Sequence, residues 1–187
     1  MSKYYIYSLL LVSLFSCRHS ITDPENSNNN SIVNFTVGNQ YYYRYMNHVG
    51  NISGGPLTKT ILRDTNIISN HYYVFSSGEI LHSSETSVVQ WNGSSSNILY
   101  KYDVQVGDTL IYQGRTLSVT SVKDDSVFLD LEKIVTASNV NITSDTIITI
   151  SYASKYGLLN VYKTFSNSSW STWLNGAKIN GVSCGSQ

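Results

Sequence analysis

IVNFTVGNQYYYRYMNHV, residues 32–49, sets two short β-prone runs on either side of Gly38-Asn39-Gln40. The runs 32–37 and 41–49 are rich in β-branched and aromatic residues, and the glycine and asparagine between them are turn formers, so the stretch predicts a hairpin. In the second run Tyr41, Tyr43 and Tyr45 share one face, opposite Tyr42, Arg44 and Met46. A strand that is apolar or amphipathic on both faces is predicted to sit centrally in a sheet.

Working outward toward the C-terminus, runs of the same kind recur at 57–63, 71–76, 88–91, 98–103, 109–112, 117–122, 127–135, 146–152, 158–165 and 170–179, with no helical period longer than a turn. Asn92-Gly93, directly after Trp91, is a strong turn signal. The two prolines, Pro24 and Pro56, fall outside the predicted strands, as ladder hydrogen bonding requires. The expectation is all-β: one antiparallel domain over residues 32–187, a closed or half-open barrel, with a two-sheet sandwich as the alternative. Within 127–135, Val127, Leu129 and Leu131 alternate with Phe128, Asp130 and Glu132. That alternation predicts the first three in the core and the two carboxylates in solvent.

Working outward in the other direction, residues 17–31 form a polar run with an asparagine cluster, expected to be a flexible tether. Residues 4–17, YYIYSLLLVSLFSC, are too short to span a bilayer as a helix, which needs about 20 apolar residues. Lys3, the apolar run and Ser16 have the layout of a secretory signal peptide over residues 1–16. Leu14-Phe15-Ser16-Cys17 resembles the lipobox of bacterial lipoproteins, with Phe15 a bulkier residue than is usual there. The resemblance implies cleavage before Cys17 and acylation of its sulfur; an ordinary signal peptide cut nearby, with Cys17 incidental, is the alternative, and an uncleaved anchor a weaker third. Each buried methylene of such a lipid contributes about 0.8 kcal/mol, so two or three chains hold a protein firmly to a membrane.

Charge excludes several classes of partner. Lys plus Arg equals Asp plus Glu, 12 each, and charged residues are 13% of the chain, so there is no basic footprint for nucleic acid and no polybasic segment for anionic lipid. The four histidines, His19, His48, His71 and His82, show no metal-ligand spacing, and no cofactor motif is present. The chain has two cysteines; if Cys17 carries lipid, Cys184 is left as a small buried thiol in a last strand.

Two candidate sites follow from residue type. Asp130 and Glu132, two apart on one strand, place carboxylates about 7 Å apart, near the spacing of an inverting glycosidase pair; a solvated strand face explains them equally. Trp91, Tyr100, Tyr102, Trp170 and Trp173 supply flat faces with polar tips, which suit stacking on sugars or partner surfaces where they are exposed and filling a core where they are not.

Residues 37–45, VGNQYYYRY, resemble the opening G-N-x-W-x-Y-x-Y strand of exported β-rich proteins and lipoproteins of Bacteroidetes and related bacteria, with Tyr41 in place of the tryptophan. Asn70-His71-Tyr72-Tyr73 is similar to their N-G-K-x-Y-Y hairpin, and residues 104–109, VQVGDT, to their L-x-V-G-D-T turn. Tyr156-Gly157-Leu158-Leu159 resembles their G-x-G-L segment, and residues 174–182, LNGAKINGV, their closing L-x-G-A-x-I-D/N-G strand. The resemblance covers most of the mature chain. It implies an exported β domain and, because that family has no established activity, no catalytic residue. Asp108-Thr109-Leu110, Asp125-Ser126-Val127 and Asp145-Thr146-Ile147 resemble the D-S/T-aliphatic acceptor of Bacteroidetes O-glycosylation, a string that a turn aspartate before a strand also produces.

The expectation is therefore a non-catalytic lipoprotein of the cell envelope, in the outer membrane, that presents a β domain to a glycan or to another envelope protein. A lipocalin-like carrier of a small apolar ligand is the alternative, and a glycan hydrolase a weaker third. A packed interior favours the first and an open apolar pocket the second.

Overall fold

The computed structural model describes residues 33–50, 52–139, 146–166 and 168–187. The predicted signal peptide, Cys17, His19, Pro24 and the tether lie outside the described residues. These residues contain thirteen strands and no helix: β1 (Gln40–Asn47), β2 (Ile52–Ile67), β3 (Asn70–Phe75), β4 (Ile80–Ser83), β5 (Ser87–Trp91), β6 (Ser96–Lys101), β7 (Thr109–Tyr112), β8 (Arg115–Val127), β9 (Asp130–Ser138), β10 (Ile147–Ala153), β11 (Gly157–Phe165), β12 (Ser168–Ile179) and β13 (Val182–Gly185).

Each strand from β1 to β12 pairs antiparallel with the next in sequence, except β6 with β7, and β12 pairs back onto β1. The result is a twelve-strand up-and-down circuit, nearly closed into a barrel, with one missing ladder; β13 folds back along β12. β1 lies between β2 and β12, the central position its two-sided pattern predicts.

The first arm of the predicted hairpin is not a strand. Residues 33–39 are irregular, yet Val33 and Phe35 are buried, and the Gly38-Asn39 turn docks on β2 through Gly38 N to Ile61 O (2.8 Å) and Ile61 N to Asn39 O (2.9 Å). Asn39 is buried because its Oδ1 accepts the backbone N–H of Asn180 at 2.9 Å, fixing the start of β1 to the far end of β12. Pro56 falls inside β2, contrary to expectation. It sits at the register shift between the pairs Tyr43↔Leu57 and Tyr45↔Gly54, where β3 does not reach β2, so its missing N–H costs no ladder bond. The strand β4 has no counterpart among the predicted runs.

The run 127–135 is two strands. Phe128 and Leu129 both have positive φ (49° and 77°), the backbone of a two-residue hairpin turn, and Val127 pairs with Asp130. Residues directly opposite one another in a ladder share a face, so Asp130 and Glu132 fall on the face of Val127. Leu129 and Leu131, predicted in the core, are 74% and 75% exposed, whereas Glu132 is 8% exposed.

The tyrosine content has a geometric cause. Eight strands make a barrel just wide enough for ordinary side chains to fill, and a twelve-strand circuit is wider. Long aromatic side chains fill the extra width: Tyr41, Tyr43, Tyr100, Tyr102, Tyr112, Tyr152 and Tyr156 are buried in one cluster with Val33, Phe35, Ile61, Phe75, Leu117, Val135 and Ile150. Three of the hydroxyls donate to backbone carbonyls, Tyr43 to Leu158 O (3.2 Å), Tyr102 to Ala153 O (3.1 Å) and Tyr152 to Lys101 O (2.6 Å), while the buried Tyr41 hydroxyl has no hydrogen-bond partner among the described residues.

Cys184, on β13, is buried as expected, but it is in a disulfide, which overturns the expectation of a thiol there. Nearby, Gly176 is required by packing: a Cβ there would lie 2.2 Å from Ser186 O and 2.8 Å from Cys184 O, so β12 can receive the C-terminal segment only with hydrogen at that position.

Candidate functional site

The missing ladder decides where a ligand can enter. β6 and β7 are joined by residues 102–108, whose turn is held by Asp108 N to Gln105 O (3.1 Å), Gln105 N to Asp108 Oδ2 (2.9 Å) and Gly107 N to Val119 O (2.9 Å). Beyond that turn the two edges leave a cleft of about 590 Å³ between them, lined by Asn97, Ile98 and Leu99 from β6 and by Thr109, Leu110 and Ile111 from β7. The cleft shares Gln90, Leu99 and Gln113 with a second cavity of about 240 Å³ on the inside of the circuit.

The inner cavity is polar and aromatic. Tyr43, Tyr100, Tyr112 and Trp170 supply rings, and Lys59, Glu79, Gln90, Gln113 and Lys163 supply charge and amides. Lys59 Nζ bonds both carboxylate oxygens of Glu79, at 2.9 and 2.7 Å. Across the cavity Lys163 Nζ donates to Gln113 Oε1 at 2.7 Å and stands 5.0 Å from the centroid of Trp170, its neighbour in the β11–β12 ladder. Burial, and then the like charge of Arg115, pull the Lys163 ammonium below the usual lysine range. Burial, and then the Glu79 carboxylate, push the Tyr112 phenol up to about 12. Tyr43 and Tyr100 are raised by burial first and by neighbouring phenols second. At neutral pH these phenols are hydrogen-bonding groups, not bases.

The five aromatic candidates do not form one platform. Tyr100 and Trp170 line the inner cavity. Tyr102 is core, its hydroxyl donating to Ala153 O at 3.1 Å. Trp91 and Trp173 are half-buried and alternate with the cavity-lining Gln90 and Thr172, which puts them on the other face of their strands, and Trp91 meets Tyr72 edge-on at 6.4 Å.

Asp130 and Glu132 do not face solvent as expected. The β10–β11 turn covers them: Ser154 Oγ and Lys155 N donate to Glu132 Oε2 (2.6 and 2.9 Å), and Lys155 Nζ and Tyr156 OH donate to Asp130 Oδ2 (2.7 and 2.5 Å). Neither lines the cleft or the inner cavity, and their hydrogen bonds tie two hairpins together. Among the described residues no group of three or more His, Cys, Asp or Glu side chains is placed to hold a metal. Of the three acceptor-like strings, Thr109 and Ser126 are exposed, while Asp108 accepts the turn N–H of Gln105 and Asp125 the N–H of Ser126 within β8; Asp145 lies outside the described residues.

Lys59, Glu79, Gln90, Gln113 and Lys163 were not nominated by the sequence. A weak signal existed for Lys163, a charged residue in phase with the apolar Leu159 and Val161 on its strand.

A solved structure of a Bacteroides fragilis protein, provisionally described as exported and as having a YmcC-like fold, matches with a TM-score of 0.50 at 10% identity, over 80% of this chain and 99% of its own. A Parabacteroides distasonis protein, provisionally described as a lipoprotein, gives a TM-score of 0.45 at 8% identity, over 81% of this chain and 100% of its own. No family model and no curated protein matches the chain. At this identity the first likeness establishes a shared fold.

Proposed function

We propose that this chain is an exported envelope protein, lipid-anchored through Cys17 to the outer membrane, that binds a glycan without catalysis. The observation that carries the binding reading is the inner cavity, which adjoins the β6/β7 cleft and is lined by amides, an ion pair, phenols and Trp170. Amide and hydroxyl groups on aromatic walls match the hydroxyls and C–H faces of sugars. The export reading is supported by residues 1–17, by the motifs shared with exported Bacteroidetes proteins, and by the fold shared with a protein itself described as exported.

The carrier reading has one observation in its favour, the apolar side chains Ile98, Leu99, Leu110 and Ile111 along the outer cleft. Against it, the inner cavity has charged groups on two walls. Titration calorimetry of the mature protein with envelope oligosaccharides and with fatty acids separates the two. Oligosaccharide binding weakened about tenfold or more in Trp170→Ala, with circular dichroism unchanged, supports the glycan reading; fatty-acid binding alone overturns it.

The anchor has its own test. Cys184 is in a disulfide in this structure and the chain has two cysteines, so a molecule acylated at Cys17 is one in which Cys184 is in no intrachain disulfide. Incorporation of radiolabelled palmitate that disappears in Cys17→Ala supports the anchor. Unlabelled protein removes the anchor and leaves the cavity reading standing.

A further inference from the structure

Lysines that are half-buried in this fold meet an oxygen acceptor that suits them. Lys59 has Glu79, and Lys155 has Asp130, each at 2.7 Å, while Lys133 donates to Tyr102 O at 2.8 Å. Lys163 is different. Like Lys133 it meets a neutral amide oxygen in place of a carboxylate, here with an indole face beside it, but unlike Lys133 it lines the inner cavity, and no carboxylate among the described residues lies within ion-pair distance.

We propose that Lys163, braced by Trp170 and Gln113, binds the carboxylate of an acidic sugar in the inner cavity. The inference rests on the glycan reading and specifies its ligand class. Three features carry it. The first is bracing: the ladder sets Lys163 opposite Trp170, and Gln113 Oε1 fixes the end of the side chain at 2.7 Å, so the ammonium is held at the cavity wall without being neutralised. The second is the local charge. Arg115 acts on Lys163 with the same sign, and the one carboxylate on the cavity wall, Glu79, already accepts two bonds from Lys59 and one from Ser77 Oγ at 2.7 Å. A ligand on the Lys163 side therefore meets an ammonium that Glu79 does not pair, and partial burial strengthens its field. The third is size. About 240 Å³ is below the range of about 300–1,000 Å³ typical of drug-sized ligands, which suits one sugar ring, with the cleft left for the rest of a chain. Gln90 and Tyr112 also line the cavity and supply an amide and a hydroxyl for sugar hydroxyls.

The test is calorimetry of the mature protein at low salt with methyl galacturonoside, methyl galactoside and sodium acetate. The uronoside is expected to bind about tenfold or more tighter than the galactoside, the scale of one charge-assisted hydrogen bond, and to lose that preference at high salt. Lys163→Gln should abolish the preference, bringing the affinities of the two sugars together, and Lys163→Arg should retain it. Equal affinity of the wild type for the two sugars overturns the proposal while the glycan reading stands, and this holds even if Lys163→Gln fails to fold. A preference that survives in folded Lys163→Gln also overturns it. Acetate binding as tight as the uronoside reduces the site to an anion site and overturns the sugar assignment. Binding of neither sugar overturns the proposal and counts against the glycan reading as well.

Discussion

Tyr102 and Tyr152 clasp each other's neighbours. Tyr152 donates its phenolic hydrogen to Lys101 O at 2.6 Å, Tyr102 donates to Ala153 O at 3.1 Å, and the two rings meet edge-on with centroids 5.3 Å apart. Lys101 closes β6 and Ala153 closes β10, so the pair bridges the edge of the missing ladder to the opposite wall. Side chains here do what backbone bonds do elsewhere in the circuit. Either Tyr→Phe substitution keeps the ring and leaves a buried carbonyl short of a donor, at a cost of about 1–2 kcal/mol. Because the two bonds hold the same junction, the double variant should cost less or more than the sum by about 0.5 kcal/mol or beyond. Urea unfolding of the four proteins measures this, and strict additivity would mean that the two phenols act independently.

The same buried phenols make the fold sensitive to alkali. Burial raises Tyr43, Tyr100, Tyr102, Tyr112 and Tyr152 above the ordinary value of about 10, with Tyr112 at about 12. The folded state thus holds these protons more tightly than the unfolded chain. Their contribution to stability is fully present below about pH 10 and is lost as pH rises through the folded values, each phenol still protonated in the fold adding a slope of about 1.4 kcal/mol per pH unit. Stability measured by urea should be level with respect to tyrosine through neutral pH and fall steeply above about pH 10. Phenolate absorbance should then rise in two stages, exposed tyrosines first and the buried set together with unfolding. A single stage in folded protein, with all of its tyrosines titrating alike, would contradict the burial.

How far the sequence could be read depends on which residues make the turns. Thr109–Tyr112 was read to the residue, and the Gln105–Asp108 turn was marked by Gly107, whose φ of 97° favours glycine. Ile68-Ser69 and Phe128-Leu129 make two-residue turns with positive φ, yet isoleucine, phenylalanine and leucine carry strand propensity and give no turn signal. With the second turn unmarked, alternation runs on as one strand and puts Leu131 inside and Glu132 outside, the reverse of their burial. Trp170 and Tyr100 were nominated by type, and the structure places both on the cavity. Lys59, Glu79, Gln90, Gln113 and Lys163 come from separate strands and turns, so only closure of the circuit brings them together. No spacing along the chain records that.

Leu129 offers a direct check of the turn. It is 74% exposed with φ of 77°, so its side chain packs little and its backbone is held where a Cβ costs about 1–2 kcal/mol. Leu129→Gly removes that strain, offset in part by the greater freedom of glycine in the unfolded chain. The expected outcome is a gain of about 0.5–1 kcal/mol and a higher melting temperature, against the usual direction of a large-to-glycine change. A loss of stability would show that Leu129 is covered in solution.

Glu132 separates a structural role from a catalytic one. It is buried, and its Oε2 accepts from Ser154 Oγ and from Lys155 N, while Asp130 beside it accepts from Lys155 Nζ and Tyr156. If the network exists to join the β8–β9 and β10–β11 hairpins, Glu132→Gln exchanges a charged acceptor for an amide whose N–H groups have no acceptor built for them. The cost should be about 1–3 kcal/mol. A carboxylate retained for chemistry behaves in the opposite way, because active-site charges are held at the expense of stability and neutralising them commonly stabilises. Thermal unfolding of Glu132→Gln, run beside glycan hydrolysis assays of the wild type, reads both. Lower stability with no hydrolysis places the pair in the framework; higher stability with hydrolysis lost in the variant would restore the carboxylate pair as a catalytic site.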